Sequence, residues 1–241
     1  YSINYMWGTT GIGANVGKVK EILGEDAPID SLELVMNPDN MSKLADCGVH
    51  FLDAPAEMLP MAMKYLGLNP DSHEDEDIAK AEEALLAIRP YIQKFHSSEY
   101  IQALANGDIC VAVGWSGDIL QARDRAVEAE NGVEIAFNAP KEGAQMWFDQ
   151  MAIPVDAPNV DGAHKFLNFI MDAENMAAAS NYVYYANGNK ASQEFLIEDV
   201  MGDPAIYPSA ETLDNLFTTT PYAPKVQRVV TRAWTKIKSG I

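Results

Sequence analysis

The chain has 241 residues, 48% of them hydrophobic, enough to bury a core in one large domain or in two lobes. It carries 35 acidic against 17 basic residues, a formal net charge of −18. That balance excludes the basic footprint of a nucleic-acid surface and leans towards cationic ligands. No apolar run reaches the length of a membrane-spanning helix.

The chain opens directly into YSINYMWGTTGIG (1–13), apolar and strand-like. It has no initial Met and no leader character, as expected of a mature terminus or an internal fragment. Residues 13–24 read as a helix ending at Gly24, and 31–48 as two helical pieces interrupted at Asn37-Pro38. GVHFLD (48–53) is a strand, followed by an amphipathic helix over 56–67 with a proline inside it. Residues 71–95 begin with an acidic turn that suits a helix dipole and continue as a long helix. Ser97 and Ser98 offer N-caps to a further helix that stops at Gly107.

ICVAVGW (109–115) and VEIAFN (133–138) read as strands, and WFDQMAIPV (147–155) alternates like another. Helices are expected over 161–172, with Phe166, Leu167 and Ile170 facing inward, and over 173–183. Val226, Val229, Val230, Trp234 and Ile237 form a final helical stripe with basic residues opposite. Strands alternating with helices predict an α/β sheet architecture. The two cysteines, Cys47 and Cys110, each sit beside a strand-like run. One disulfide in an oxidising compartment and two free thiols are both compatible with that spacing.

Familiar catalytic and cofactor motifs fail. GIGANVG (11–17) lacks the spacing of a dinucleotide or phosphate loop and reads as a glycine turn. HEDED (73–77) lacks the ligand alternation of a calcium loop and reads as a solvated helix start. The four histidines fall singly, without zinc spacing, and no serine sits in a nucleophile elbow. No metal or cofactor is expected.

What remains is a recurrence of acids beside aromatics at element ends. Asp118 follows Trp115 after one strand, and Asp149 stands two residues from Trp147, on the same face of an alternating strand. Asp53 ends GVHFLD and Glu57 follows it, and Tyr184-Tyr185 follow a helix. A core tryptophan beside a capping aspartate explains any single pair. Repetition at strand ends, where open α/β sheets bind ligands, favours a site. Carboxylates with flat aromatic faces suit an organic cation, because a carboxylate neutralises an ammonium and a ring attracts it by roughly 0.5–2 kcal/mol. Aromatic walls also stack sugars, although the charge would then be wasted.

The runs FHSSEYIQALANGDICVAVGWSGD (95–118), FLDAP (51–55), YYANGNKA (184–191) and TRAWTKIKSG (231–240) resemble the periplasmic polyamine-binding proteins of bacterial ABC transporters. The putrescine-binding members are nearest, the spermidine-binding members more distant, and the resemblance runs from Tyr1 to Ile241. It implies an α/β, type II periplasmic binding protein-like fold with two lobes that close on a ligand. The second lobe would comprise 5–126 and 186–241, with 127–185 a part of the first and 1–4 a crossover. It implies that Trp115, Asp118, Trp147, Asp149, Glu57 and Tyr185 bind the ligand, and that Cys47 and Cys110 form a disulfide. Trp115 would lie along an alkyl chain while Asp118 anchors an ammonium.

Relatives carry a further segment ahead of the position matching Tyr1, which builds most of their first lobe. The first lobe of this chain is therefore expected to be incomplete and to lack sheet partners, unless that segment is supplied as a separate chain. The implied partners are a polyamine and the membrane permease of an ABC transporter, in the periplasm, with no nucleic acid. A sensor passing a ligand-bound state to a membrane protein would use the same site. The rival from another class is a carboxylate-dependent hydrolase acting on a glycoside.

Overall fold

One long strand organises the molecule. In the computed structural model, which describes residues 2–240, β1 (Ile3–Asn15) runs for 13 residues and is buried from Gly8 onward. Small, apolar and β-branched residues let it be covered on both faces. Along one edge it pairs antiparallel with β4 (Val111–Trp115), from Thr10↔Trp115 to Ala14↔Val111, and then with β7 (Ala186–Asn187) at Met6 and Trp7. Along the other edge lie β5 (Ile135–Asn138) and β6 (Gln145–Met151), both antiparallel. β2 (Val49–Phe51) continues the sheet beyond β4, parallel to it and to β3 (Lys94–Phe95). The sheet is mixed, with the order β3-β2-β4-β1-β5 and with β6 and β7 also on β1.

Helices fill the connections. α1 (Val16–Leu23) starts at Asn15, whose side chain accepts from Lys18 N, and ends at Gly24. α2 (Glu33–Met36) and α3 (Pro38–Leu44) are separated at Asn37, as the Asn-Pro step predicts. α4 (Pro55–Tyr65) opens on a proline, and α5 (Asp75–Ile88) opens on three acids in its first turn. α6 (Glu99–Asn106), α7 (Ser116–Glu128), α8 (Val160–Ile170) and α9 (Ala173–Val183) follow. α10 (Glu198–Met201), α11 (Ala210–Asn215) and α12 (Pro224–Ser239) complete the chain. None is long and apolar enough to cross a membrane among the described residues. The principal core gathers residues between Ile12 and Ile135 and the apolar stripe of α12, including Val230, Trp234 and Ile237. Cys47 and Cys110 are joined, Cα to Cα 5.6 Å, and tie the turn after α3 to the start of β4.

Several local expectations change. The stretch 11–17 is not a turn: it is the end of β1 running into α1. Ser98 makes no side-chain cap on α6; instead the His96 Nδ1 accepts from Ser98 N at 3.2 Å and Glu99 N at 3.1 Å. The strand expected through Val155 stops at Met151, ahead of Pro154. The inner face expected on α8 has little to cover it. The helix has no fully buried residue, and Phe166 is 57% exposed. Within 127–185, β5 and β6 do find a sheet partner, namely β1, while the far edge of β6 carries no strand among the described residues beyond a bridge from Gln145 to Phe217. The crossover expected at 1–4 begins with Tyr1, outside the described residues.

Candidate ligand-binding site

Four elements and one connection deliver side chains to one cavity. Trp115 ends β4 and is the N-cap of α7, which places Asp118 in that helix's first turn. Glu57 lies in the first turn of α4. Trp147 and Asp149 alternate along β6, while the intervening Phe148 points away and is 44% exposed. Tyr185 links α9 to β7. All six line a single cavity of about 410 Å³, with no lysine or arginine among them. The sequence resemblance and the fold thus bring the same six residues together.

Hydrogen bonds organise one side of this cavity closely. The Trp115 indole Nε1 donates to both oxygens of Glu57, at 3.1 and 2.9 Å, and Thr10 Oγ1 donates to Glu57 Oε2. Tyr100 OH donates to Asp118 Oδ2 and Tyr185 OH to Asp118 Oδ1, each at 2.8 Å. The same hydroxyls accept from the backbone, Tyr100 from Trp115 N and Tyr185 from Asp118 N, each at 3.2 Å. Across the cavity, Asp149 accepts no hydrogen bond from a described residue. The buried Trp147 Nε1 likewise has no acceptor. The rings form a chain of edge contacts, Trp115 to Trp147 at 6.4 Å and Trp147 to Tyr185 at 5.4 Å between centroids.

Two glycines make room for it. Trp147 stands opposite Gly8 in the register of β1 and β6, and a Cβ on Gly8 would lie 2.8 Å from the indole. A Cβ on Gly117 would lie 2.6 Å from the Tyr185 ring. Neither position tolerates a side chain unless a ring moves.

Burial pushes all three carboxyls up from their ordinary range. For Glu57 it outweighs the hydrogen bonds from Thr10 and Trp115, and for Asp118 those from Tyr185 and Tyr100; for Asp149 it acts alone. Three acids are thus gathered at a desolvation cost with no cationic side chain in the cavity lining, Arg125 acting on Asp118 from outside it. An ammonium would offset that cost. Among the described residues, no three His, Cys, Asp or Glu side chains are grouped closely enough to hold a metal ion. The carboxylates come from α4, α7 and β6 and are not grouped at one point, which suits an extended cation better than a point charge.

The other acid–aromatic pairings lie outside the site. Asp53 accepts from Trp234 Nε1 at 2.8 Å and from Lys238 Nζ, so it fastens α12 to the end of β2. Burial would raise its pKa, but those partners hold it below the usual value. Tyr184 turns into a separate cavity of about 530 Å³ with Arg123, Asp124, Glu198, Asp199 and Asp203. There Arg123 already pairs with Asp203 at 2.9 Å, and no aromatic wall faces it but Tyr184. An apolar hollow of about 430 Å³ beside α8, lined by Ile3, Met151, Val155 and Leu167, carries no carboxylate. Sequence reasoning missed Thr10 and Tyr100. Nothing in their spacing couples position 10 to 57, or 100 to 118.

The chain is 52% identical, over 240 residues, to the putrescine-binding periplasmic protein SpuD of Pseudomonas aeruginosa. It is 51% identical, over 241 residues, to the putrescine-binding periplasmic protein PotF of Escherichia coli. Each alignment covers 100% of this chain, and the chain spans 65% of the length of each relative. Among solved structures, the spermidine/putrescine ABC transporter substrate-binding protein PotD of Streptococcus pneumoniae superposes with a TM-score of 0.78. That match has 24% identity and covers 100% of this chain and 69% of the other, showing a shared fold. Both relatives are described by their binding of putrescine, which lends the hydrolase reading no support. With residues 6–208 matching the family described as bacterial extracellular solute-binding protein, the chain belongs to that family.

Proposed function

We propose that the cavity binds a linear polyamine, putrescine before spermidine, and that the protein delivers it in the periplasm to the membrane component of an ABC transporter. One observation carries this reading: three carboxylates and three aromatic rings line one cavity that holds no basic side chain. Asp118 and Asp149, on separate elements, anchor the ammonium groups, and Trp115, Trp147 and Tyr185 box the methylene chain. Glu57 already accepts from Thr10 and twice from Trp115, so it orients the indole as well as adding negative charge. The putrescine-binding relatives support the choice of ligand.

The lobe division belongs to the same proposal. Residues 5–126 and 186–241 form one lobe and 127–185 part of the other, so that Trp147, Asp149 and Tyr185 approach Glu57, Trp115 and Asp118 across a hinge. The concentration of the principal core in 12–135 and α12 supports it, as does the sparse burial on α8. Calorimetric titration with putrescine and spermidine tests the function, with and without the amino-terminal segment of a relative added separately. Saturable heat with putrescine in either mixture is the expected result. Absence of heat with both amines in both mixtures refutes it.

A further inference from the structure

Tyr100 does not line the cavity, yet it touches both features that define it. Its side chain is fully buried, and its ring packs so closely on β4 that a Cβ on Gly114 would lie 2.6 Å away. Its hydroxyl stands between two groups of fixed or fixable polarity. The Trp115 backbone N–H can only donate, so the phenol oxygen accepts there at 3.2 Å. The single phenol proton then goes to Asp118 Oδ2 at 2.8 Å. Tyr185 repeats the pattern, accepting from Asp118 N and donating to Asp118 Oδ1. Both carboxylate oxygens therefore receive a proton from a phenol whose other side is already committed.

We propose that Tyr100 is a positioning residue of the cleft, which from behind the wall holds Asp118 as an acceptor-only carboxylate and fixes the strand end that carries the Trp115 ring. A protonated Asp118 accepts less strongly from both phenols, and a proton on Oδ2 turned towards Tyr100 would meet the phenol proton already there. Tyr100, fully buried, would then have to turn its own proton away from its acceptor and into packed interior, leaving it unsatisfied. The hydrogen-bond directions thus favour the ionised Asp118 and offset part of the opposing effect of burial, which still leaves its carboxyl above the usual range. The titratable and charged groups facing this network are few. They are Tyr185 between α9 and β7, Arg125 further along α7, and Glu57 on α4 near the Tyr100 hydroxyl.

This inference rests on the cation-binding reading for its purpose, but its test does not. In the ligand-free chain, NMR titration of the Asp118 carboxyl is compared between the parent and Tyr100→Phe, which removes one hydroxyl and keeps the ring. The Asp118 midpoint is expected to move up in the variant. In the parent, the Trp115 amide resonance is expected to follow the Asp118 midpoint through the shared hydroxyl. An unchanged Asp118 midpoint in a folded variant overturns the proposal; so does a Trp115 amide blind to the Asp118 titration, a measurement that needs no variant. Where the parent binds putrescine, Tyr100→Phe should weaken it by about tenfold as pH falls into the carboxylate range, and by less at higher pH. A loss equal at every pH would mark a packing role only and refute the proposal. A parent that binds no diamine refutes the proposed function, while the carboxyl titration still decides the role of Tyr100.

Discussion

The two walls of the cavity are supported very differently. The wall built from α4, β4 and α7 stands on the principal core, and its acids are held by donors: Thr10 and Trp115 on Glu57, Tyr100 and Tyr185 on Asp118. The wall built from β6 rests on β1, and α8, near the end of β6, buries no residue completely and leaves Phe166 57% and Phe169 59% exposed. Its Asp149 has no described donor and its Trp147 N–H no acceptor. A binding surface is pre-organised only where buried neighbours fix its rotamers and hydrogen bonds fix its polarity. The first wall meets that condition before any ligand arrives. The second has the right chemistry on a thinner foundation.

The largest effect should come from cutting the staple of the well-supported region. Replacing Cys47 and Cys110 together by serine should lower unfolding free energy by about 4 kcal/mol on the chain-entropy account of a 63-residue separation. Chemical denaturation measures it, and a loss near zero would show that the core alone holds this wall. Next, Asp118→Ala should cost about 3 kcal/mol of putrescine affinity, since it also strands two phenol donors, whereas Asp149→Ala should cost less, about 2 kcal/mol. Calorimetry on both variants tests the ranking. Equal losses would erase the difference between the walls.

A pH series sharpens the same contrast. Glu57, Asp118 and Asp149 all titrate above their ordinary values in the folded chain. Groups raised by folding favour their protonated form, so in the ligand-free chain their contribution to stability is fullest in acid and is lost as pH rises through the raised values. A bound diamine has the opposite preference. The rise in thermal midpoint caused by putrescine should therefore grow from about pH 4 upward as the carboxylates ionise. A ligand-induced shift independent of pH across that range would contradict charge pairing as its source. The smallest effect belongs to the open side: Phe169→Ser should change stability by no more than about 0.5 kcal/mol, because little is buried there to lose. A loss several times larger would mean that this helix face is covered in solution.

Much of this was readable from local pattern. The Asn-Pro step at 37–38 divided two helices, the acids at 75–77 opened another, and the stripe from Val226 to Ile237 packed where its period said it would. Trp147 and Asp149 shared a face because strand side chains alternate. Errors arose where a local signal met a tertiary neighbour. The glycines of 11–17 looked like a turn but continue a buried strand, and Ser98 looked like a cap until the His96 ring took that position. Asp53 had the same credentials as Glu57, four residues later, yet it serves α12.

By itself, then, the sequence determined the types of side chain available, the α/β alternation and a family resemblance that named six cleft residues. Those follow from chemistry and short-range periodicity, which the chain carries at every point. Only the tertiary structure decided which acids share a cavity, which donors hold them, and that Tyr100 and Thr10 stand behind them. Hydrogen bonds across 18, 47 or 67 residues depend on how the sheet brings distant elements together. Directional contacts of about 3 Å leave no periodic trace in a sequence.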